Sequence, residues 1–230
     1  VTRVHRSDAG REVLSASQRL MDGLLVEERR CFAAIEQALR GVADDLETRV
    51  RRTAKQTGRA SLIAGLAGLL PDDDVVRSAV MAPVGDLLAV TRERTLVVVR
   101  RQLKACESVV PARWDGVAGR AVAAAKAQST QLEFNWFGRC WDGAAAGAGL
   151  TRLAMVGQTQ TWWARGETTD ELVQRLLSEE LVRLPGAESR GAWWQLRGRC
   201  NAEARNASVG LTNGLLLAGM AAWNQTMTTS

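Results

Sequence analysis

From Leu14 to Val50 the apolar residues keep helical spacing without a break: Leu14, Met21, Leu25, Phe32, Ile35, Leu39, Val42, Leu46 and Val50. Ser7 or Asp8 can cap such a helix, which is expected to run to about Gln56. About fifty residues of α-helix span on the order of 75 Å. That is too long for a compact domain of 230 residues to cover. The helix must lie along a neighbouring helix or a neighbouring subunit. Between Phe32 and Leu46 the steps alternate three and four, the heptad pattern of a coiled-coil seam. Phe32 and Leu39 are therefore candidate contact positions for a second copy. Glu27, Glu28, Arg29 and Arg30, and Asp44 and Asp45 with Arg49, Arg51 and Arg52, fall on the outward side as a solvated face.

The rest of the chain repeats this habit of few, long helices. Gly58 breaks the first pattern, and Ser61 to Leu70 reads as a short apolar helix. Pro71 and Asp72-Asp73-Asp74 make a turn and an acidic helix start, since carboxylates favour the positive end of a helix. A second helix follows from Val75 to about Val109, with a kink or break expected at Pro83. Thr95 to Val99 is β-branched, but its charged flanks read as helix. Pro111 can start the next helix, alanine-rich from Ala112 to about Ala127. Phe134 to Trp163 is the least regular stretch. Gly143, Gly147 and Gly149 there suit close helix contact. Gly147-Ala148-Gly149 opens like a phosphate loop, but Arg152 stands where the next glycine belongs and no strand precedes it. Thr168 to Leu184 is the clearest local unit: Thr168 and Glu171 form a capping box, and Leu172, Val173, Leu176, Leu177 and Leu181 form a stripe. Pro185-Gly186 ends it, and a last helix runs from about Ser189 to about Trp223. The fold class is all-α, with long helices in an extended rather than compact bundle and a C-terminal helical unit. The expected divisions are 1–110, 111–165, 166–225 and a polar linker or cut end at 226–230.

Few chemistries suit this composition. The net charge of +5 is carried by arginine, with lysine only at 55, 104 and 126. That excess reflects either a GC-rich genome or a surface that meets phosphates and carboxylates. Cys31, Cys106, Cys140 and Cys200 are widely spaced, and His5 is the sole histidine, so neither a zinc site nor any cofactor is expected. The thiols read as reduced and mostly buried. No signal peptide opens the chain and no apolar run reaches the ~18–20 residues of a membrane span. Asn206 and Asn224 open glycosylation sequons, read as chance. Glu179-Glu180 do not face one another on a helix. No nucleophile elbow or metalloprotease motif appears, so an enzyme is not expected.

Tryptophan is the stronger signal. There are eight, with no tyrosine to share their role. Trp162-Trp163 and Trp193-Trp194 are tandem pairs. Adjacent helical residues diverge by about 100°, so one of each pair can face the core and the other a second surface. Tryptophan is enriched at interface hot spots. Large core residues in alanine-rich packing explain the same pairs equally well.

The segment "ARGETTDELVQRLLSEE", followed by "AEARNASVGLTNGLLLAGMAAW", resembles the minor head, or head-morphogenesis, proteins of tailed bacteriophages. In that family a glycine and an acidic amphipathic helix precede a helix bearing an Arg-Asn-Ala-like segment and then a tryptophan. Gly166 to Glu180, Arg205-Asn206-Ala207 and Trp223 stand at those positions. The Arg-Thr-Glu usual in the family ahead of the asparagine is absent: the chain reads Arg197-Gly198-Arg199-Cys200-Asn201. The resemblance implies a non-catalytic virion protein, docked on the portal protein and the capsid interior near the portal vertex, and in the host cytoplasm during assembly. It implies weak, non-specific contact with packaged DNA. Trp162, Trp163, Trp193, Trp194, Phe32, Leu39, Arg205, Asn206 and Trp223 are the expected partner-binding residues. The alternative is a self-associating helical adaptor, a homo-oligomer built on the Phe32 to Leu46 seam.

Overall fold

The structure, a computed structural model, describes residues 8–108, 116–177, 182–184, 187–189 and 192–229. It is all-α in class. Among the described residues there are five helices: α1 (Asp8–Leu69), α2 (Asp73–Glu107), α3 (Val117–Arg165), α4 (Thr169–Leu177) and α5 (Ala192–Thr229). The only strands among them, β1 (Val182–Leu184) and β2 (Ala187–Ser189), pair antiparallel with Leu184 opposite Ala187. His5, the Ser7 cap, the start at Pro111 and Ala112, Val109, Glu179, Glu180, Leu181, Pro185-Gly186 and Ser230 lie outside the described residues.

Helix boundaries follow local chemistry. Gly58 sits inside α1 with φ 76° and ψ 176°, so the helix breaks there as expected. Asp72 offers its carbonyl to the amides of Val75 and Val76, and Asp73 and Asp74 occupy the first turn of α2. Pro83 is tolerated within α2. Gly116, at φ 81°, turns the chain into α3, and the Glu107 carboxylate accepts from the Ala118 amide at its start.

Three expectations need correction. Phe134 to Trp163 is not irregular: it lies inside the unbroken α3, which has no proline and is rich in alanine. The helix at Thr168, described as far as Leu177, does not reach Leu184. Val182-Arg183-Leu184 instead forms a strand, which the extended preference of the residue before Pro185 favours. The last helix does not end near Trp223 but continues to Thr229, with the Thr226 hydroxyl donating to the Ala222 carbonyl.

The chain forms two compact units. Unit 1 is Val1–Cys31, Val84–Arg139 and Arg205–Ser230; unit 2 is Phe32–Pro83 and Cys140–Ala204. Within unit 1, Leu20, Leu24 and Val98 form one apolar cluster. Val99, Leu103, Ala118, Ala121 and Ala125 form another, against which Leu216 and Trp223 pack. Thr91 and Ser208 meet between α2 and α5 at 3.3 Å. Glu28 was expected outside but is buried, because it continues the Leu20, Leu24 stripe; Arg205 Nε donates to it at 3.3 Å. Arg94 reaches Glu27 at 2.6 Å.

Burial along the helices does not follow the heptad. On α1, Cys31, Ile35, Leu39, Ala43, Leu46 and Val50 are buried, while Phe32 and Val42 are only partly so. Ala118, Ser129, Cys140, Thr151 and Trp162 on α3, each eleven residues after the last, are all buried. So are Val76, Leu87 and Val98 on α2, and Trp193, Ala204 and Leu215 on α5. Eleven residues over three turns is about 3.67 per turn, close to the 3.6 of a straight helix.

Close approach sets which glycines matter. A Cβ on Gly210 of α5 would stand 2.1 Å from the Trp136 ring of α3, whereas one on Gly198 meets nothing within 4 Å. Gly210→Ala should destabilise by about 1–3 kcal/mol through overpacking. Gly198→Ala should stabilise by about 0.5–1 kcal/mol through helix propensity. Urea unfolding of both variants checks the opposite signs.

Candidate functional site

The tandem tryptophans divide as their helical spacing requires. Trp162 is 1% exposed and Trp163 47% exposed. Trp193 is buried, and Trp194 is half-buried at the mouth of a groove of about 200 Å³. All four belong to unit 2.

The Trp193-Trp194 pair lies on the first turn of α5 against α1. The Trp193 indole donates to the Leu39 carbonyl at 3.1 Å, which fixes the ring beneath the groove. Leu39 itself is 1% exposed. Arg197, one turn on, donates to Glu36 at 3.0 Å and lies over the Trp194 ring at 5.6 Å. Glu36, Arg40, Asp44 and Glu47 complete the wall. The groove therefore offers an aromatic face bordered by both signs of charge. Trp with Arg is the composition of interface hot spots.

The Trp162-Trp163 pair closes α3. The Gly166 amide donates to the Trp163 carbonyl and the Glu167 amide to the Trp162 carbonyl, both at 3.2 Å, with Gly166 at φ 69°. This is a Schellman stop, and only glycine takes that backbone without strain. The Trp162 indole then donates to the Thr168 carbonyl at 2.6 Å. Thr168 opens α4 through the expected capping box: its amide donates to Glu171 at 2.6 Å, and the Glu171 amide donates back to its hydroxyl at 3.3 Å. The backbone amide of Thr168, then its hydroxyl, hold the Glu171 carboxyl below its ordinary range. Arg51 of α1 pairs with Asp170 beside the cap.

Sequence reasoning missed the pair beneath this corner. Arg175 donates to Glu167 through Nε at 2.6 Å and through a second guanidinium nitrogen, and both side chains are almost fully buried. The only signal in the sequence was an arginine between Val173 and Leu176 on the apolar stripe.

Trp162, Trp193 and Leu39 are thus packing residues of unit 2. Trp163 and Trp194 carry the accessible aromatic surface there. Phe32 is partly buried. In unit 1, Arg205 neutralises Glu28, Asn206 is exposed, and Trp223 packs partly buried against the cluster that contains Val99 and Leu103. Among the described residues no group of three or more His, Cys, Asp or Glu could hold a metal ion, and no helix is long and apolar enough to cross a membrane.

Two predictions follow from this chemistry. Glu167→Ala leaves the Arg175 guanidinium buried and unpaired, and should cost about 3–5 kcal/mol in urea unfolding. The double change Glu167→Met, Arg175→Met should recover most of that. Burial pushes the Cys140 and Cys200 thiols up from 9.0 to about 12, while Cys106 is exposed. A pKa raised on folding stabilises fully below the unfolded value and is lost as pH rises towards the folded one. Stability should therefore fall from about pH 9 upward, and Cys140→Ala, Cys200→Ala should flatten that fall. In native protein Cys106 should react with Ellman's reagent well before the buried Cys31, Cys140 and Cys200.

A scan of protein-family models finds no match to this chain, and searches of curated proteins and of solved structures find none either.

Proposed function

We propose that this chain is a non-catalytic, architectural protein of a tailed-bacteriophage head, of the minor head kind, docking on the portal protein and the capsid interior. The observation that carries this reading is the split of each tryptophan pair. One indole is tied to a backbone carbonyl inside unit 2, and its neighbour is the more accessible of the two: Trp163 is exposed and Trp194 is half-buried beside Arg197. That is how a rigid docking surface is made: the anchor ring removes the freedom that its neighbour would otherwise lose on binding. The stretch resembling the family, Gly166 onward, is the corner that fixes one of these pairs. Such a protein acts near the portal vertex inside the capsid, and passes through the host cytoplasm during assembly.

Contact with packaged DNA belongs to the same proposal, and it is weak. Arginines on the outer face of α1 are matched by carboxylates one turn away: Arg40 with Glu36, Arg49 with Asp45, Arg51 with Glu47. Little net positive field is left to release counterions. The alternative adaptor reading loses its seam, because Leu39 and Ile35 are used inside unit 2. Phe32→Asp with Leu39→Asp would unfold that unit rather than dissolve an oligomer.

Co-expression with the cognate portal and a pull-down at moderate salt tests the proposal. Wild type should be retained. Trp194→Ala should weaken retention by about tenfold or more with an unchanged melting curve, whereas Trp193→Ala should lower the melting temperature. A folded wild-type chain that leaves portal unbound would overturn the reading. DNA retention should fade between low and moderate salt; tight, salt-insensitive binding would refute the weak-contact claim.

A further inference from the structure

The outer side of α5 in unit 1 has an unusual composition. After Arg205 the sequence contains no charged residue through Ser230. A surface helix ordinarily carries charged or polar residues opposite its buried stripe. Here the buried stripe is Ala204, Ala207, Ser208, Leu211 and Leu215, yet Val209, Leu217 and Met220 are 45%, 64% and 59% exposed. With Asn206, Asn213 and Asn224, also exposed, they occupy one face at helical spacing.

The apolar surface continues onto α1. Met21, Leu25, Val209 and Asn213 share the lining of one shallow groove between α1 and α5. Leu14 lies two turns before Met21 on the same face and is 64% exposed. Six apolar side chains about half exposed offer on the order of 600 Å² per copy, the size of patch that marks an interaction site. The α1 edge is polar, with Gln18 donating to Asp22 at 2.9 Å, and forms a rim.

We propose that this face is a two-fold interface between two copies of the chain. Two facts select a second copy as the occupant. The α5 strip after Arg205 carries no charge, and Glu28 in the groove is already paired with Arg205, so the face can meet itself with little like-charge repulsion, whereas a charged partner would bury unpaired groups against it. The residue order is also self-complementary. An antiparallel two-fold axis near Leu215 sets Asn206 opposite Asn224, Val209 opposite Met220, and Asn213 opposite Leu217. The Asn206 and Asn224 amides pair at the ends, and the apolar side chains lie between them with one asparagine, Asn213, facing Leu217. Two copies cover on the order of 1,200 Å², the lower edge of stable specific interfaces. This interface uses unit 1 alone and stands independently of portal docking.

Sedimentation of the full chain from about 1 to 100 µM tests it. Wild type should dimerise reversibly. Leu217→Glu with Met220→Glu, and separately Val209→Lys with Asn213→Lys, should each give monomers. At concentrations too low for wild type to dimerise their melting curves should match wild type, because all four positions are exposed. Mixing the acidic and basic variants at low salt should restore a dimer containing one of each, since the axis sets α5 against α5. A wild-type chain that stays monomeric throughout overturns the proposal, as does a dimer that survives both pairs of changes. Failure of the mixed variants to re-associate would reject the two-fold pairing.

Discussion

The constraint on which the rest of the structure depends is the narrow seam of a long helix. A helix that buries one side chain at each turn, and has no sheet to lean on, must keep that side chain on one line. Four helices do so with an eleven-residue recurrence, as Ala118, Ser129, Cys140, Thr151 and Trp162 show on α3. At about 3.67 residues per turn the line drifts little around a straight helix, so no left-handed supercoil is needed. The residues on the line are correspondingly varied, from alanine to tryptophan, and include hydroxyls that need no cross-helix partner. Ser129, Thr151, Thr159 and Thr212 each donate to a carbonyl of their own helix, so burial leaves their hydroxyls paired.

Such seams leave chain reversals with a separate task, since a long helix has no intrinsic place to stop. The α3 to α4 corner meets that task with stacked devices rather than one strong contact. Gly166 ends one helix, Thr168 and Glu171 start the next, and the Trp162 indole ties the two together. Beneath them the Glu167–Arg175 pair is nearly dry. A buried ion pair adds little net stability over an apolar substitute, but breaking half of it is costly. Its effect here is specificity: only one arrangement of the corner keeps both charges satisfied.

Much of this was legible in the sequence because it is local. Gly58 as a break, the acidic start of α2, the capping box and the divergence of each tryptophan pair all follow from neighbours within a turn. The helical reading of Thr95 to Val99 held for the same reason, its flanks deciding against β-propensity. What was misread depends on partners far along the chain. Glu28 looks like a surface charge until Arg205 stands beside it. The Phe32 to Leu46 steps look heptad until Cys31 and Ala43, small and easily overlooked, prove to be the buried positions. Val182 to Leu184 looked like the end of a helix because the stripe seemed to continue, and the extended bias imposed by Pro185 was underweighted.

The same distinction separates the two surfaces of interest. In unit 2 the exposed aromatics sit among charges, with Arg197 bridging Glu36 and Trp194. That surface is stable in water and becomes attractive only to a partner that satisfies the same charges, which suits an interface formed late and selectively. In unit 1 the outer face of α5 has no charge to satisfy, and water gains little by covering it. A surface of that kind is costly to leave bare, so its partner must be present wherever the chain is made. A second copy meets that condition without any other component. An interface between copies and a docking groove for a different protein would therefore demand opposite compositions, and the two proposed surfaces lie in different units.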